Sequence, residues 1–138
     1  METHELIKEI LTKYKTVAVY GMSKSPTKPS HTVPAYLHTQ GYTIIPINPS
    51  ADEILGLKSY KNIIDVEDKI DILEVFRPSE KVPDVVKEAI ERKKQKGDIE
   101  VIWLQDGIYH DEAKKLAEQE GITVIQDRCM FRDHRQFL

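Results

Sequence analysis

A run of hydroxyl and basic side chains follows the first apolar segment of the chain. Thr16–Tyr20 is rich in β-branched and apolar residues, and Gly21 comes directly after it. A glycine lets the backbone approach a ligand closely, and free N–H groups at the start of a following helix favour an anion. Hydroxyl groups and charges then follow from Ser23, Ser25, Thr27, Ser30, Lys24 and Lys28. These residues predict a phosphate or pyrophosphate site; the alternative is a solvated loop whose serines cap the helix.

The same loop departs from the pattern that binds nicotinamide dinucleotides. That fingerprint is G-x-G-x-x-G, with an acidic residue after the second strand to hold the ribose 2′-OH. Here the loop runs from Gly21 to Pro26 with a single glycine, and Asn48-Pro49 stands where the acid is expected. Both departures weaken a dinucleotide interpretation and favour a phosphate-binding domain with another ligand.

Further polar, glycine or proline residues follow the later apolar segments of the chain. They are Phe76-Arg77-Pro78, Gln105-Asp106-Gly107 and Asp127-Arg128-Cys129. In open parallel sheets, ligands bind outside the carboxyl ends of the strands, at a switch in strand order. Arg77 is a candidate phosphate ligand because a guanidinium pairs well with phosphate, although it could equally form a surface salt bridge.

Candidates for catalysis and metal binding are few. His31 and Cys129 could act as a base or a nucleophile, but no orienting group accompanies either. The spacing of His110, Asp111, Asp127, Cys129 and His134 matches no standard zinc pattern. We therefore expect no catalytic residue and no metal. Glu74, in an otherwise apolar segment, is interpreted as facing a partner or lying near a sheet edge.

Strand-like and helix-like patterns alternate along the chain and position these residues. Apolar runs predict strands at Thr16–Tyr20, Tyr42–Ile47, Asp71–Phe76, Val101–Leu104 and Ile122–Ile125. Helical spacing predicts a leading helix after Thr3 and helices around Val33–Leu37, Val82–Ile90 and Asp111–Glu120. Alternation of this kind predicts an α/β, doubly wound, Rossmann-like domain with a parallel sheet of about five strands flanked by helices. Strand order is expected to be 3-2-1-4-5 or 2-1-3-4-5.

Less regular segments lead to three smaller expectations. Ser50 to Lys69 is expected to hold a short strand near Leu57 and a helical turn around Ile63-Ile64. The last nine residues, Met130 to Leu138, are expected to be a polar tail with an apolar anchor at its end. No repeat or linker interrupts the pattern, so residues 1–138 are expected to form one domain.

The composition of the chain argues against nucleic-acid and membrane partners. The chain of 138 residues is 40% hydrophobic and 31% charged, with a net charge of −3 and scattered basic residues, which disfavours nucleic-acid binding. A single cysteine excludes an internal disulfide and fits a reducing compartment. No apolar run approaches the ~20 residues that span a bilayer. We expect a cytoplasmic protein that contacts no membrane; a homodimer or an unidentified protein partner remains open.

Several motifs together resemble a known family, the stand-alone CoA-binding proteins of bacteria and archaea. The resemblance covers nearly the whole chain from about Thr16, and its motifs fall at strand ends in the family's order. They are Gly21-x-Ser23, Lys28-Pro29-Ser30-His31-x-Val33, Pro46-x-Asn48-Pro49, Val75-Phe76-Arg77-Pro78, Trp103-Leu104-Gln105-x-Gly107 and Asp127-Arg128-Cys129. The family's fold is related to the nucleotide-binding domain of the succinyl-CoA synthetase α subunit.

The resemblance implies coenzyme A at the carboxyl edge of the sheet. It assigns the phosphates to Gly21, Met22, Ser23 and Ser30, the nucleotide cleft to Asn48 and Pro49, the adenine or ribose side to Phe76, Arg77 and Pro78, and the pantetheine path to Gln105 and Gly107. Lys28 or Arg128 is a candidate for the 3′-phosphate, and Cys129 is expected near the pantetheine thiol. The phosphohistidine machinery of the synthetase lies in another domain, so no ligase activity is expected.

The expected function is therefore the binding of coenzyme A or a CoA thioester by a module that stores, senses or delivers it without catalysis. Two alternatives from other classes remain. One is an NAD(P)-dependent oxidoreductase on the same fold, and the other is an enzyme that acts on acyl-CoA.

Overall fold

The computed structural model describes residues 2–138 and consists of strands alternating with helices. In chain order the elements are α1 (Thr3–Lys13), β1 (Thr16–Tyr20), α2 (Pro29–Thr39), β2 (Thr43–Ile47), β3 (Glu53–Ile54), β4 (Leu57–Lys58), β5 (Ile72–Val75), a 3-10 turn (Ser79–Lys81), α3 (Val82–Lys96), β6 (Val101–Leu104), α4 (Asp111–Gln119), β7 (Thr123–Ile125) and α5 (Met130–Phe137). The five predicted strands are present to within one or two residues at each end.

Five of the strands form one parallel sheet with the order β2-β1-β5-β6-β7. Counted among these five strands alone, the order is 2-1-3-4-5, one of the two predicted. The central register aligns Val19, Glu74 and Trp103 across β1, β5 and β6. The α/β Rossmann-like fold predicted from the alternation of strands and helices is confirmed.

Helices cover both faces of the sheet, because successive side chains of a strand point to opposite faces. On one face, Leu73 and Val75 pack with the apolar stripe of α3 and with Ala113 and Ala117 of α4. On the other face, Val17, Val19, Ile72 and Trp103 pack with α1, α2 and α5. Each strand is buried on both faces, which explains why its sequence is a continuous apolar run rather than an alternating one.

A buried ion pair fastens the segment that precedes β5. The Arg92 guanidinium on α3 donates from Nη2 to Asp98 Oδ2 at 2.8 Å and from Nε to Asp98 Oδ1 at 3.1 Å. It also donates to the backbone carbonyls of Ile63 and Val66. The predicted strand near Leu57 is present as β4, and the residues around Ile63-Ile64 form a turn in which the Val66 N–H donates to the Ile63 carbonyl at 3.4 Å. The Arg92 guanidinium donates to the same carbonyl.

The expected polar tail at the end of the chain is wrong, because Met130–Phe137 forms α5 and packs on the sheet. Its buried face carries Met130, Asp133 and His134, which are two polar residues and one apolar residue. Each polar residue has a partner that satisfies it: Arg128 for Asp133 at 2.8 Å, and the Tyr36 hydroxyl for His134 Nδ1 at 2.8 Å. A search for apolar periodicity misses a helix whose inward face is polar.

Glu74 lies neither at a sheet edge nor on an exposed face. It sits in β5, the middle strand of the sheet, with no exposed surface, and neither carboxyl oxygen has a hydrogen-bond partner. Burial without a partner penalises the charged form and raises the pKa of Glu74 from 4.5 to about 8. The carboxyl group is therefore mainly protonated at neutral pH.

Candidate functional site

The strand order places the switch point between β1 and β5. The chain leaves β1 toward α2 on one face of the sheet and leaves β5 toward α3 on the other face. Two neighbouring loops that turn to opposite faces open a crevice at the carboxyl edge, where doubly wound domains bind ligands. The candidate site is built from these two loops and from the loops that follow β2, β6 and β7.

Gly21 stands at the closest approach of the two central loops. Its φ is +89°, and a Cβ added there would lie 3.1 Å from the Phe76 carbonyl oxygen and 3.2 Å from Arg77 Cδ. The backbone N–H of Gly21 donates to the Ile47 carbonyl of β2 at 3.0 Å. A residue with a side chain would be strained and crowded at this point. Glycine therefore keeps the loops after β1 and β5 in contact.

Hydrogen bonds within the first loop hold its backbone in one shape. The Ser25 N–H donates to Ser23 Oγ at 3.0 Å, and His31 Nδ1 lies 2.8 Å from the Ser23 carbonyl oxygen. The Asn48 side chain donates from Nδ2 to the Met22 carbonyl at 2.9 Å, which ties the loop after β2 to the loop after β1. Asn48 and His31 thus hold the carbonyl groups of two consecutive loop residues, Met22 and Ser23.

Donors remain unused in this preformed loop. Among residues 2–138, no acceptor lies within hydrogen-bond distance of the backbone N–H groups of Met22 and Ser30 or of the Ser30 hydroxyl. The Met22 side chain is buried in the core, so its contribution to the loop is its backbone. The unpaired Ser30 N–H at the start of α2 and the unpaired Met22 N–H of the loop are donors that stabilise an anion.

A small cavity lies on one side of Gly21 and carries two cations. Its volume is about 150 Å³, and it is lined by Tyr20, Gly21, Ile47, Pro49, Lys61 and Arg77. Neither Lys61 nor Arg77 forms a salt bridge or a side-chain hydrogen bond with any residue from 2 to 138. Tyr20 donates to Glu88 at 2.6 Å, and burial together with this carboxylate raises the pKa of its hydroxyl, which stays neutral.

A larger, mostly apolar cavity is lined by Phe76, the residue that precedes Arg77. Its volume is about 490 Å³. The walls come from the start of α2, the ends of β5 and β6, and the start of α5: Pro29, Thr32, Val33, Phe76, Gln105, Asp106, Ile108, Cys129 and Phe131. Phe76 and Arg77 are adjacent in sequence but line different cavities, one apolar and one basic. The crevice therefore has a charged end and an apolar end.

Gln105 is the polar side chain buried in the wall of the larger cavity. It is 4% exposed, and its Oε1 accepts from the Met130 N–H at the start of α5 at 3.3 Å. That bond fixes the orientation of the carboxamide, and Nε2 forms no hydrogen bond with residues 2–138. At the rim, Asp106 pairs with Arg132 at 2.7 Å, which links the loop after β6 to α5.

Several residues expected to contact the ligand line neither cavity. Arg128 donates to Asp133 from Nε at 2.8 Å and from Nη2 at 2.9 Å, so its charge is already paired. The Gly107 N–H donates to Asp127 Oδ1 at 2.6 Å and shapes the turn after β6. Lys28 and Pro78 are exposed beside the crevice. The structure does bring together Gly21, Pro49, Arg77, Phe76, Gln105 and Cys129.

Sequence reasoning gave no ligand role to nine of the fifteen residues that line the two cavities: Tyr20, Pro29, Thr32, Val33, Ile47, Lys61, Asp106, Ile108 and Phe131. Lys61 lies at the carboxyl edge of the sheet because its neighbour Tyr60 pairs with Ile47 at the end of β2. This pairing is a tertiary contact, so the local sequence pattern does not predict it. Phe131 was missed because α5 was interpreted as a tail. Val33 was assigned to the core of its helix, where it also packs.

Residues 2–138 contain neither a membrane-spanning helix nor a cluster of metal ligands. No helix there is long and apolar enough to cross a membrane. No group of three or more His, Cys, Asp or Glu side chains there is arranged to hold a metal ion.

Comparison with known proteins agrees with this geometry. The sequence profile of the CoA binding domain matches residues 15–135, which includes every residue that lines the two cavities. The chain belongs to the CoA-binding domain family.

Relatives in this family are both small proteins and parts of large ones. An uncharacterised Bacillus subtilis protein, YneT, is 41% identical over 124 residues, which is 90% of this chain and 88% of that one. The ADP-forming acetate–CoA ligase of Methanocaldococcus jannaschii is 34% identical over 120 residues, 84% of this chain, but the match spans 17% of the ligase. A hypothetical protein from Pyrococcus horikoshii has a solved structure with a TM-score of 0.90 and 36% identity, covering 99% of this chain and 92% of that one.

Proposed function

We propose that this protein binds coenzyme A or a CoA thioester in the crevice at the carboxyl edge of its sheet. The observation that carries the proposal is the pairing of a basic cavity with an apolar cavity, which are lined by the consecutive residues Arg77 and Phe76. Coenzyme A has the same polarity, with phosphates and a nucleotide at one end and a thiol-bearing arm at the other. The family membership supports this ligand over a nicotinamide dinucleotide.

The phosphates belong over the first loop in this proposal. The unpaired N–H groups of Met22 and Ser30 and the Ser30 hydroxyl supply neutral donors. Arg77 and Lys61 supply charge from the neighbouring cavity. Charge-assisted hydrogen bonds to phosphate are about twice as strong as neutral ones. The nucleotide then lies toward Pro49 at the end of β2.

The pantetheine arm extends into the larger cavity. A volume of about 490 Å³ falls in the usual range for small-molecule sites, ~300–1,000 Å³. Cys129 and Gln105 lie in its wall, so the thiol end of the ligand would approach both. We propose a binding, sensing or carrier role without catalysis. The contact between His31 Nδ1 and the Ser23 carbonyl supports this role, because it uses the histidine to hold the loop backbone.

Calorimetric titration with CoA tests the placement of the phosphates. Arg77→Ala and Lys61→Ala each remove a cation that has no protein partner, so neither is expected to unfold the chain. Each variant should weaken CoA binding by about tenfold, the effect of losing one charge-assisted bond. Lys87→Ala is the matched control, because Lys87 is exposed on α3 and lies in neither cavity. Its dissociation constant should equal that of the unmodified protein.

Equal binding by all three variants would contradict this placement. Binding of CoA that survives loss of both cations would mean that the phosphates lie elsewhere. Absence of any heat with CoA, at concentrations where the protein is folded, would contradict the proposed function itself.

A further inference from the structure

The larger cavity has room for more than the end of the pantetheine arm, and most of its wall is apolar. Pantetheine carries two amide groups and a hydroxyl, which need hydrogen-bond partners when they are buried. Thr32 and Asp106 supply polar groups, but Val33, Phe76, Ile108 and Phe131 offer only apolar surface. Hydrocarbon is the chemistry that gains most from such a wall, because burying apolar surface requires no partner.

One polar group breaks this apolar surface, and its direction is fixed. The Met130 N–H holds Gln105 Oε1, so the Nε2 group is left to serve the cavity as a donor. Gln105 as a residue is 4% exposed, but Nε2 is not among the side-chain atoms that are fully buried without a hydrogen bond. This donor is therefore open to a ligand, and a carbonyl oxygen in the cavity would give it an acceptor in place of water.

The charges around the larger cavity disfavour a ligand that places a carboxylate there. Asp106 is the charged residue in its lining, and it is negative and paired with Arg132 at the rim. The unpaired cations Arg77 and Lys61 line the other cavity. A carboxylate carried into the larger cavity would therefore lose hydration without meeting a cation.

We propose that the larger cavity holds the uncharged, apolar acyl group of a CoA thioester, and that Gln105 Nε2 donates to the thioester carbonyl. The inference rests on the proposed function and names its ligand: a thioester with a short aliphatic or aromatic acyl group rather than free CoA. Gln105 is the specificity-determining residue, because it meets a carbonyl that free CoA lacks at the sulfur.

Titrations of CoA, butyryl-CoA and malonyl-CoA into the purified protein test the acyl site. Each buried methylene tightens binding by about fourfold, so butyryl-CoA should bind at least tenfold more tightly than CoA. Malonyl-CoA should bind more weakly than butyryl-CoA, because its carboxylate meets no cation. If CoA binds as tightly as butyryl-CoA, the acyl site is wrong and the proposed function stands. If no CoA compound binds, both fail.

A thioether isolates the hydrogen bond of Gln105. S-Butyl-CoA has the length of butyryl-CoA but lacks the carbonyl oxygen. The unmodified protein should prefer butyryl-CoA by about threefold to tenfold, the net effect of one hydrogen bond. Gln105→Met keeps the size of the side chain and should bring the ratio of the two affinities close to one. Measurable binding of S-butyl-CoA by this variant shows that it is folded.

Gln105→Glu provides a second variant if Met130 needs its acceptor. It keeps an oxygen for the Met130 N–H and removes the Nε2 donor, so the preference for the thioester should again disappear. A preference for butyryl-CoA over S-butyl-CoA that persists in both variants would overturn the role assigned to Gln105.

Discussion

Gly21 and Gly41 have nearly the same backbone conformation, with φ of +89° and +91°, but different surroundings. A Cβ at Gly41 would meet no atom within 4 Å, whereas at Gly21 it would crowd the Phe76 carbonyl. Gly41→Ala should therefore cost only backbone strain, about 1 kcal/mol of unfolding free energy. Gly21→Ala should cost about 1 kcal/mol more and should weaken CoA binding, because the loops after β1 and β5 must separate. Urea unfolding and calorimetry measure both effects.

The two alanine variants separate strain from contact, since strain is common to both. Equal losses of stability, together with unchanged CoA binding in Gly21→Ala, would show that the approach of the two loops does not shape the site.

Glu74 makes the stability of the protein depend on pH. The folded protein keeps the Glu74 proton up to about pH 8, whereas the unfolded chain releases it near pH 4.5. Between these values the folded state binds more protons, so the free energy of unfolding falls as pH rises, by at most about 1.4 kcal/mol per pH unit. Below pH 4.5 and above pH 8 this carboxyl group has no further effect.

Glu74→Gln removes this titration and keeps the size of the side chain. The free energy of unfolding of the variant, relative to that of the unmodified protein, should increase by a few kcal/mol as pH rises from 5 to 8. Urea unfolding at several pH values in this range provides the measurement. Parallel pH profiles for the two proteins would mean that Glu74 is already ionised in the folded state.

At the scale of elements, the Arg92–Asp98 pair joins α3 to the segment before β5. Asp98 also accepts from the Ile70 N–H at 2.9 Å, so the pair holds both ends of that segment. Arg92→Met leaves the Asp98 carboxylate buried without a counter-charge, which should cost about 3–5 kcal/mol of unfolding free energy.

The exposed pair between Arg132 and Asp106 is the matched control for this variant. Its side chains are 63% and 47% exposed, against 1% and 4% for the buried pair. Arg132→Met should cost less than about 1 kcal/mol because water screens the pair. Similar losses from the two variants, measured by urea unfolding, would contradict the role given to burial.

The elements differ in how far sequence could predict them. The strands were predictable because each is buried on both faces, which makes its residues a continuous apolar run. α3 was predictable because its apolar stripe is regular and Gly97 ends it with φ of +74°. α5 was not, because its inward face carries the polar residues Asp133 and His134. His134 is satisfied by Tyr36, which is distant in sequence, and Asp133 by Arg128.

At the scale of the whole molecule, the location of the site could be predicted and its division could not. The rule that ligands bind at the carboxyl edge identified Gly21, Arg77 and Gln105 from strand ends alone. The separation of a basic cavity from an apolar one depends on α5 and on the pairing of Tyr60 with Ile47, which are tertiary features. α5 also supplies Asp133, which pairs with Arg128, a residue that the sequence offered as a candidate phosphate ligand.

Thermal unfolding of the protein with CoA, NAD, NADP and AMP in parallel tests the central claim most directly. A ligand at ~100 times its dissociation constant adds about 2.7 kcal/mol to stability, which raises the melting temperature of a chain of this length by roughly 10 °C. The account predicts such a rise with CoA and a smaller one or none with the other three. A rise with NAD or NADP and none with CoA would contradict it.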